Sequence, residues 1–434
     1  MKCRFFSKII IATLVLIMSL GLIGCNSTNN KDKFKEFSNL SKQEKIVKMK
    51  EEVEYLCSNL EKKHINLYHS ISKEDFEKKK EELITNIPQI EDEVDYYYAL
   101  SELMTGLNDA HTAIGVSDDI MNESYFYDFD IKKFQEGWIL MGIDKSNENL
   151  LGYKVTSING IKIDEVFNRI LNVMPHENPY KIANNFSLYV ETAQLLKRVK
   201  VISDISENIT VSLEDENQNS VDIKVSAAKD DNVQNEKHSL LRDKVKKTMT
   251  SNIKEEKYWF DKIDDNDLYV QYNKCMEDNT LPIKEFSKEI SKKIEDNNFK
   301  KVILDFRYNG GGSSNVIEPL FDELQENKEK YNLKYYILIG NQTFSSAILN
   351  AYEGKKRLKA TLVGQPTGGD LNHYGEVKKF ELPYSGFSVA YSTKYFENIK
   401  NYDKDALYPD ISVENTINDY IYGIDDDVQA AIKD

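Results

Sequence analysis

The chain is 434 residues long, 40% hydrophobic and 11% aromatic, with 72 acidic against 57 basic residues and a formal net charge of −15. A body this acidic argues against nucleic acid or anionic lipid as partners, since both would be repelled. With only eight prolines and no internal repeat the composition excludes a fibrous or low-complexity protein, and the length asks for two or three domains.

Residues 1–24 read as an export signal, in which Lys2, Arg4 and Lys8 flank an apolar run over 9–23 that is too short for a stable membrane span. The run ends at Leu22, Ile23, Gly24 and Cys25, which resembles the lipobox of bacterial lipoproteins. That resemblance implies cleavage before Cys25, a lipid attached to it, and a chain held on the extracytoplasmic side of the cell membrane. Loss of the leader makes the mature chain three charges more negative, because no acid precedes Cys25. Residues 25–41 open with a polar run, Asn26 to Asp32, and read as a tether. Cys57 and Cys275 remain as thiols, too few for a disulfide scaffold and leaving one bridge open. No cluster of Cys and His has metal-ligand spacing, and no cofactor is expected.

Over 42–115 the pattern is helical, with Ile46, Val53, Leu56 and Leu60 at helical spacing. Three helices fit. The second starts near Ser72, with Asp75 three residues on as its capping partner. The third carries Val94, Tyr97 and Leu100 and stops at Gly106, which leaves Asp109 and His111 on a loop. Residues 116–228 read as β-rich, with strands over 138–143, 153–158, 209–213 and 221–225. Asn159 and Gly160 suit a tight hairpin because both accept positive φ. The stretch 152–170 resembles part of a PDZ domain, although another small β module fits as well. Residues 229–256 are charged and aperiodic, and read as a linker or a surface helix.

From 257 to 434, strands (268–272, 302–306, 335–339, 361–363) alternate with helices (283–297, 316–325, 346–352), which predicts an α/β domain with a largely parallel sheet. Sites in such sheets form at the strand ends. The strand at 302–306 runs into Gly310, Gly311 and Gly312, whose backbone can approach an anion closely because no Cβ intervenes. A phosphate loop is disfavoured, since the Lys and Ser/Thr pair of a Walker motif is missing. The strand at 335–339 leads into Thr343, Phe344, Ser345 and Ser346 at the start of a helix. A serine there either presents its hydroxyl beside a free amide or merely caps the helix.

Five segments in order separate these alternatives. Leu107, Asp109, His111 and Thr112; Asp305, Arg307, Asn309 and the three glycines; Thr343 to Ala347; Leu362, Val363, Gly364, Pro366 and Thr367; and Pro409, Asp410 and Ile411 resemble the signature segments of the serine peptidases that include the C-terminal processing peptidases and the tricorn core. The resemblance implies a ClpP/crotonase-like spiral α/β core and a nucleophile at Ser345. Processing peptidases take their base from a Lys just after the Gly-x-Pro-Thr loop, but none follows Thr367 before Lys378. The tricorn type takes a His, which points to His111. The orienting acid falls on Asp403, where Glu is more usual, and Ile348 stands where many relatives carry Glu. The oxyanion would meet the amides of Gly310 or Gly311 and of Ser346. His373, close after the glycine loop, is the rival base, while His64, His69, His176 and His238 read as surface or satisfied residues.

The expectation is a lipid-anchored, metal-free serine peptidase that hydrolyses peptides through an acyl-enzyme. The alternative is a non-catalytic lipoprotein that uses the same fold to hold a peptide or an apolar ligand.

Overall fold

The computed structural model describes residues 27–229, 238–250 and 256–434. The export signal and Cys25 lie outside them. The predicted front helices form as Lys42–Lys63, Lys73–Asn86 and Glu93–Thr105. Ser72 caps the second by accepting from the Asp75 amide, and Gly106 closes the third.

Two boundaries need correction at the front and at the linker. Instead of a tether throughout, a helix Ser27–Ser38 precedes these three. Its Phe34 and Phe37 are buried in the same core as Leu56, Tyr96 and Leu100, so burial of two aromatic rings outweighs the polar composition of the segment's first residues. The supposed linker also contributes structure. Ala227–Lys229 pairs antiparallel with Tyr125–Tyr127, and His238–Leu240 pairs antiparallel with Gly137–Asp144.

In the β-rich part, the strands Gly137–Asp144, Lys154–Ile158, Ile209–Glu214 and Ser220–Val225 belong to one seven-stranded sheet. Asn159 and Gly160 take the positive φ expected of their turn, 49° and 75°. Two further helices, Pro179–Glu191 and Ala193–Arg198, interrupt what reads from sequence as mostly strand. The first is started by Asn178, whose side chain accepts from the Tyr180 amide, and by Pro179, whose missing N–H costs nothing there. The helical front and the β-rich part are not separate bodies. They share one apolar core, joined by Leu382, Phe387, Val389 and Tyr391 from the rear of the chain.

The rear is a six-stranded sheet in the order Tyr258–Lys262, Asp267–Tyr272, Lys301–Asp305, Lys334–Ile339, Thr361–Gly364 and Ile411–Ser412. The first pair is antiparallel and every later pair is parallel. Alternate residues face opposite sides: Val302 and Leu304 enter the core beneath three helices, while Ile303 packs with Val428 and Ala431 of the C-terminal helix Asp426–Lys433. Both faces are covered, which is why these strands read as unbroken apolar runs. Cys57 and Cys275 are free thiols in different cores, and burial pushes both up to about 12. A long hairpin, His373–Glu381 with Ser388–Phe396, leaves the sheet and pairs with Ala113–Ile114, just after His111.

Candidate active site

Lys301–Asp305 and Lys334–Ile339 are adjacent parallel strands, so the loops that follow them emerge side by side. Asn309 knits them together: its carbonyl accepts from the Phe344 amide at 3.0 Å, and its side chain donates to the Tyr272 carbonyl at 2.8 Å. Thr343 adds a bond from its hydroxyl to the Phe306 carbonyl at 2.9 Å. Arg307 anchors the loop in a buried ion cluster with Asp305, Asp425 and Asp427 at 2.7 to 2.8 Å.

Ser345 stands at φ 53° and ψ −127°, a conformation that costs a non-glycine residue about 1–3 kcal/mol and persists where the surroundings enforce it. Although it precedes the helix Ser346–Arg357, its side chain makes no capping bond. The hydroxyl instead lies 3.1 Å from Nε2 of His111, which is 234 positions away in the chain. This disposes of the capping alternative.

His111 is held by its own loop. Asp109 accepts the His111 amide at 2.8 Å, the Thr112 hydroxyl at 2.6 Å and His64 Nε2–H at 2.9 Å. The Asn66 amide donates to His64 Nδ1 at 3.0 Å, so His64 is a fully satisfied buried group of the neutral tautomer. Burial alone would raise the Asp109 carboxyl, but the bond from His64, the nearby His111 and the Thr112 hydroxyl outweigh it and hold the group well below the ordinary range.

At Nδ1 of His111 the carboxylate is Glu177, at 3.3 Å. Asp403 is exposed and makes no contact with the ring, which corrects the sequence assignment of the orienting acid. Glu177 is buried, and backbone amides of Ala110 (3.3 Å) and Asp370 (2.9 Å) donate to its two oxygens. Burial works against its charge, yet the hydrogen bond from His111 keeps it below its usual value. With the proton on Nδ1 facing Glu177, Nε2 offers its lone pair to the Ser345 hydroxyl. No sequence motif surrounds Glu177; the only local signal was a charged residue just ahead of the Asn178 and Pro179 helix start.

Two rings fix the plane of the imidazole. Phe344 stacks on it with centroids 4.7 Å apart, and His373 with centroids 5.3 Å apart. His373 bonds through Nδ1 to the Asp370 carbonyl at 2.9 Å and not to Ser345, so it packs against the His111 ring without reaching the hydroxyl. Burial presses its pKa down and favours the neutral ring.

Of the predicted oxyanion donors, the Gly311 amide is already spent on Asn309 Oδ1 at 2.9 Å. Among the described residues the amides of Gly310 and Ser346 have no protein acceptor, which narrows the pair to these two. Asp109, His111 and Glu177 also present ligand atoms within 4.8 Å of one another. A divalent ion there would take the Nδ1 position that orients the imidazole.

No protein-family model and no curated protein matches the sequence. Among solved structures, mature CPAF complexed with lactacystin superposes with a TM-score of 0.61 at 13% identity, covering 89% of this chain and 97% of that one. Mature CPAF by itself gives 0.59 at 13% identity over 87% and 94%. The tricorn protease superposes more loosely, at 0.40 and 12% identity over 89% of this chain and 36% of that one. The chain is thus similar in fold to mature CPAF along nearly the full length of both.

Proposed function

We propose that the chain is a serine peptidase related to the C-terminal processing peptidases and the tricorn core. In this reading Ser345 is the nucleophile, His111 the general base and Glu177 the acid that orients it. The single observation that carries the reading is the 3.1 Å approach of His111 Nε2 to the Ser345 hydroxyl. The base draws the proton as Oγ attacks a peptide carbonyl, then returns it to the leaving amine, and water resolves the acyl-enzyme by the same route. The amides of Gly310 and Ser346 receive the oxyanion, where loss of one donor typically costs about 3–4 kcal/mol of barrier. We read the rear sheet as a ClpP/crotonase-like spiral and the seven-stranded sheet as PDZ-like.

The lipobox-like segment supports a lipid on Cys25 and an extracytoplasmic, membrane-anchored enzyme acting on peptide or protein substrates. Purified protein is expected to cleave a mixed library of internally quenched peptides, and Ser345→Ala to abolish that cleavage without altering the thermal melt. Peptide binding without turnover in the unaltered protein would favour the non-catalytic alternative.

A further inference from the structure

Lys181 lies in the first turn of the helix Pro179–Glu191, beside the catalytic groups yet unused by them. Its ammonium sits 3.3 Å from the centre of the Phe344 ring. The same ring stacks on His111, and its residue directly precedes Ser345. The stem of Lys181 runs along the loop after the sheet, since a Cβ added to Gly368 would lie 3.3 Å from that of Lys181. No carboxylate forms an ion pair with the ammonium among the described residues. Burial, opposed by the more distant Glu177 and Asp109, lowers its pKa to about 8, which leaves it charged at neutral pH.

A half-buried cation whose direct partner is an aromatic face lacks a counter-ion in a protein rich in carboxylates. The Phe344 ring satisfies part of its charge; a carboxylate would do so more strongly, through a charge-assisted hydrogen bond in a partly desolvated place. A peptide with its scissile carbonyl at Ser345 advances about 3.3 Å per extended residue, so residues next to the cleaved bond pass this position.

We propose that Lys181 is a specificity-determining residue that receives a carboxylate of the substrate within a few residues of the scissile bond. The carboxylate is either an Asp or Glu side chain or the peptide's own C-terminus. This rests on the peptidase reading above, and a binding measurement separates the two.

Fluorescein-labelled decapeptides of Ala and Gly, each with a single Glu or its Gln twin at successive positions, are made as C-terminal acids and as amides. They are titrated by anisotropy against the Ser345→Ala protein and against Ser345→Ala with Lys181→Met. In at least one register the acid should bind about tenfold tighter than its neutral twin. Lys181→Met should bring that ratio to near one while leaving the neutral twin unchanged. Whether the Glu/Gln pairs or the acid/amide pairs respond identifies the source of the carboxylate.

Absence of any acid preference, or a preference that survives Lys181→Met, overturns the proposal. Equal weakening of both twins overturns it as well, because Lys181 would then be only a support for Phe344. A wild-type protein that binds these peptides with the expected preference but cleaves nothing would sink the peptidase reading and leave the role of Lys181 standing.

Discussion

The proton on Nδ1 of His111 faces Glu177, and its position decides whether the other nitrogen can accept from Ser345. Glu177→Gln keeps the shape but reverses the hydrogen-bond demand, so kcat should fall by about 10³–10⁴ with KM little changed. Asp403→Asn should leave both constants alone; the opposite pattern in steady-state kinetics would restore the sequence assignment. Asp370 offers a second test beside the same group. Its ordinary value is 3.8, but burial, then repulsion from Glu177 and Asp405, raises it to about 9, and one of its buried oxygens finds no partner. Between those values the unfolded chain binds fewer protons than the folded one, so this residue's contribution is lost as pH rises from about 4 to about 9. Asp370→Asn mimics the neutral acid and should melt higher than wild type at pH 8 but level with it at pH 4, measured by scanning calorimetry. His111 and Ser345 were legible in sequence because each sits in a motif whose loop conformation is local. Glu177 was not, because its role depends on a contact 66 positions away that no local pattern encodes.

At the scale of elements, the glycine loop shows what spacing reveals and what it conceals. Gly311 adopts φ 107°, and a Cβ there would lie 2.9 Å from the Ser345 Cβ and 3.0 Å from the Phe344 carbonyl. Gly311→Ala should therefore displace the nucleophile turn and reduce kcat/KM at least a hundredfold, read with a saturable peptide substrate, while the far-UV spectrum stays native. Three glycines after an apolar strand predict a backbone open to an anion, whereas at Gly311 the missing Cβ makes room for the turn that carries Ser345. They did not predict that Asn309 would claim the Gly311 amide, since that depends on a side-chain rotamer. Alternation of strand and helix made the rear sheet readable, because both its faces are buried and its strands are strongly apolar. The helix Pro179–Glu191 lies between two other helices in a part that reads from sequence as mostly strand, even though Asn178 and Pro179 are a sound start signal.

The molecule assembles its site from three stretches of chain: His111 from the helical front, Glu177 from the β-rich middle and Ser345 from the rear sheet. The shared core of front and middle, with the hairpin Ser388–Phe396 reaching back to pair beside His111, holds these stretches in register. The length asks for two or three domains but gives no sign that front and middle share a core, because burial between distant segments leaves no periodic trace; Phe34 and Phe37, in a segment that opens as polar, show this most plainly. The most direct test is the rate at which a serine-reactive phosphonate labels the protein, with the modified residue located by peptide mass spectrometry. The label should fall on Ser345, and His111→Ala should slow its attachment by about a thousandfold or more. Labelling at another residue, or at Ser345 with an undiminished rate once His111 is gone, would contradict the shared site.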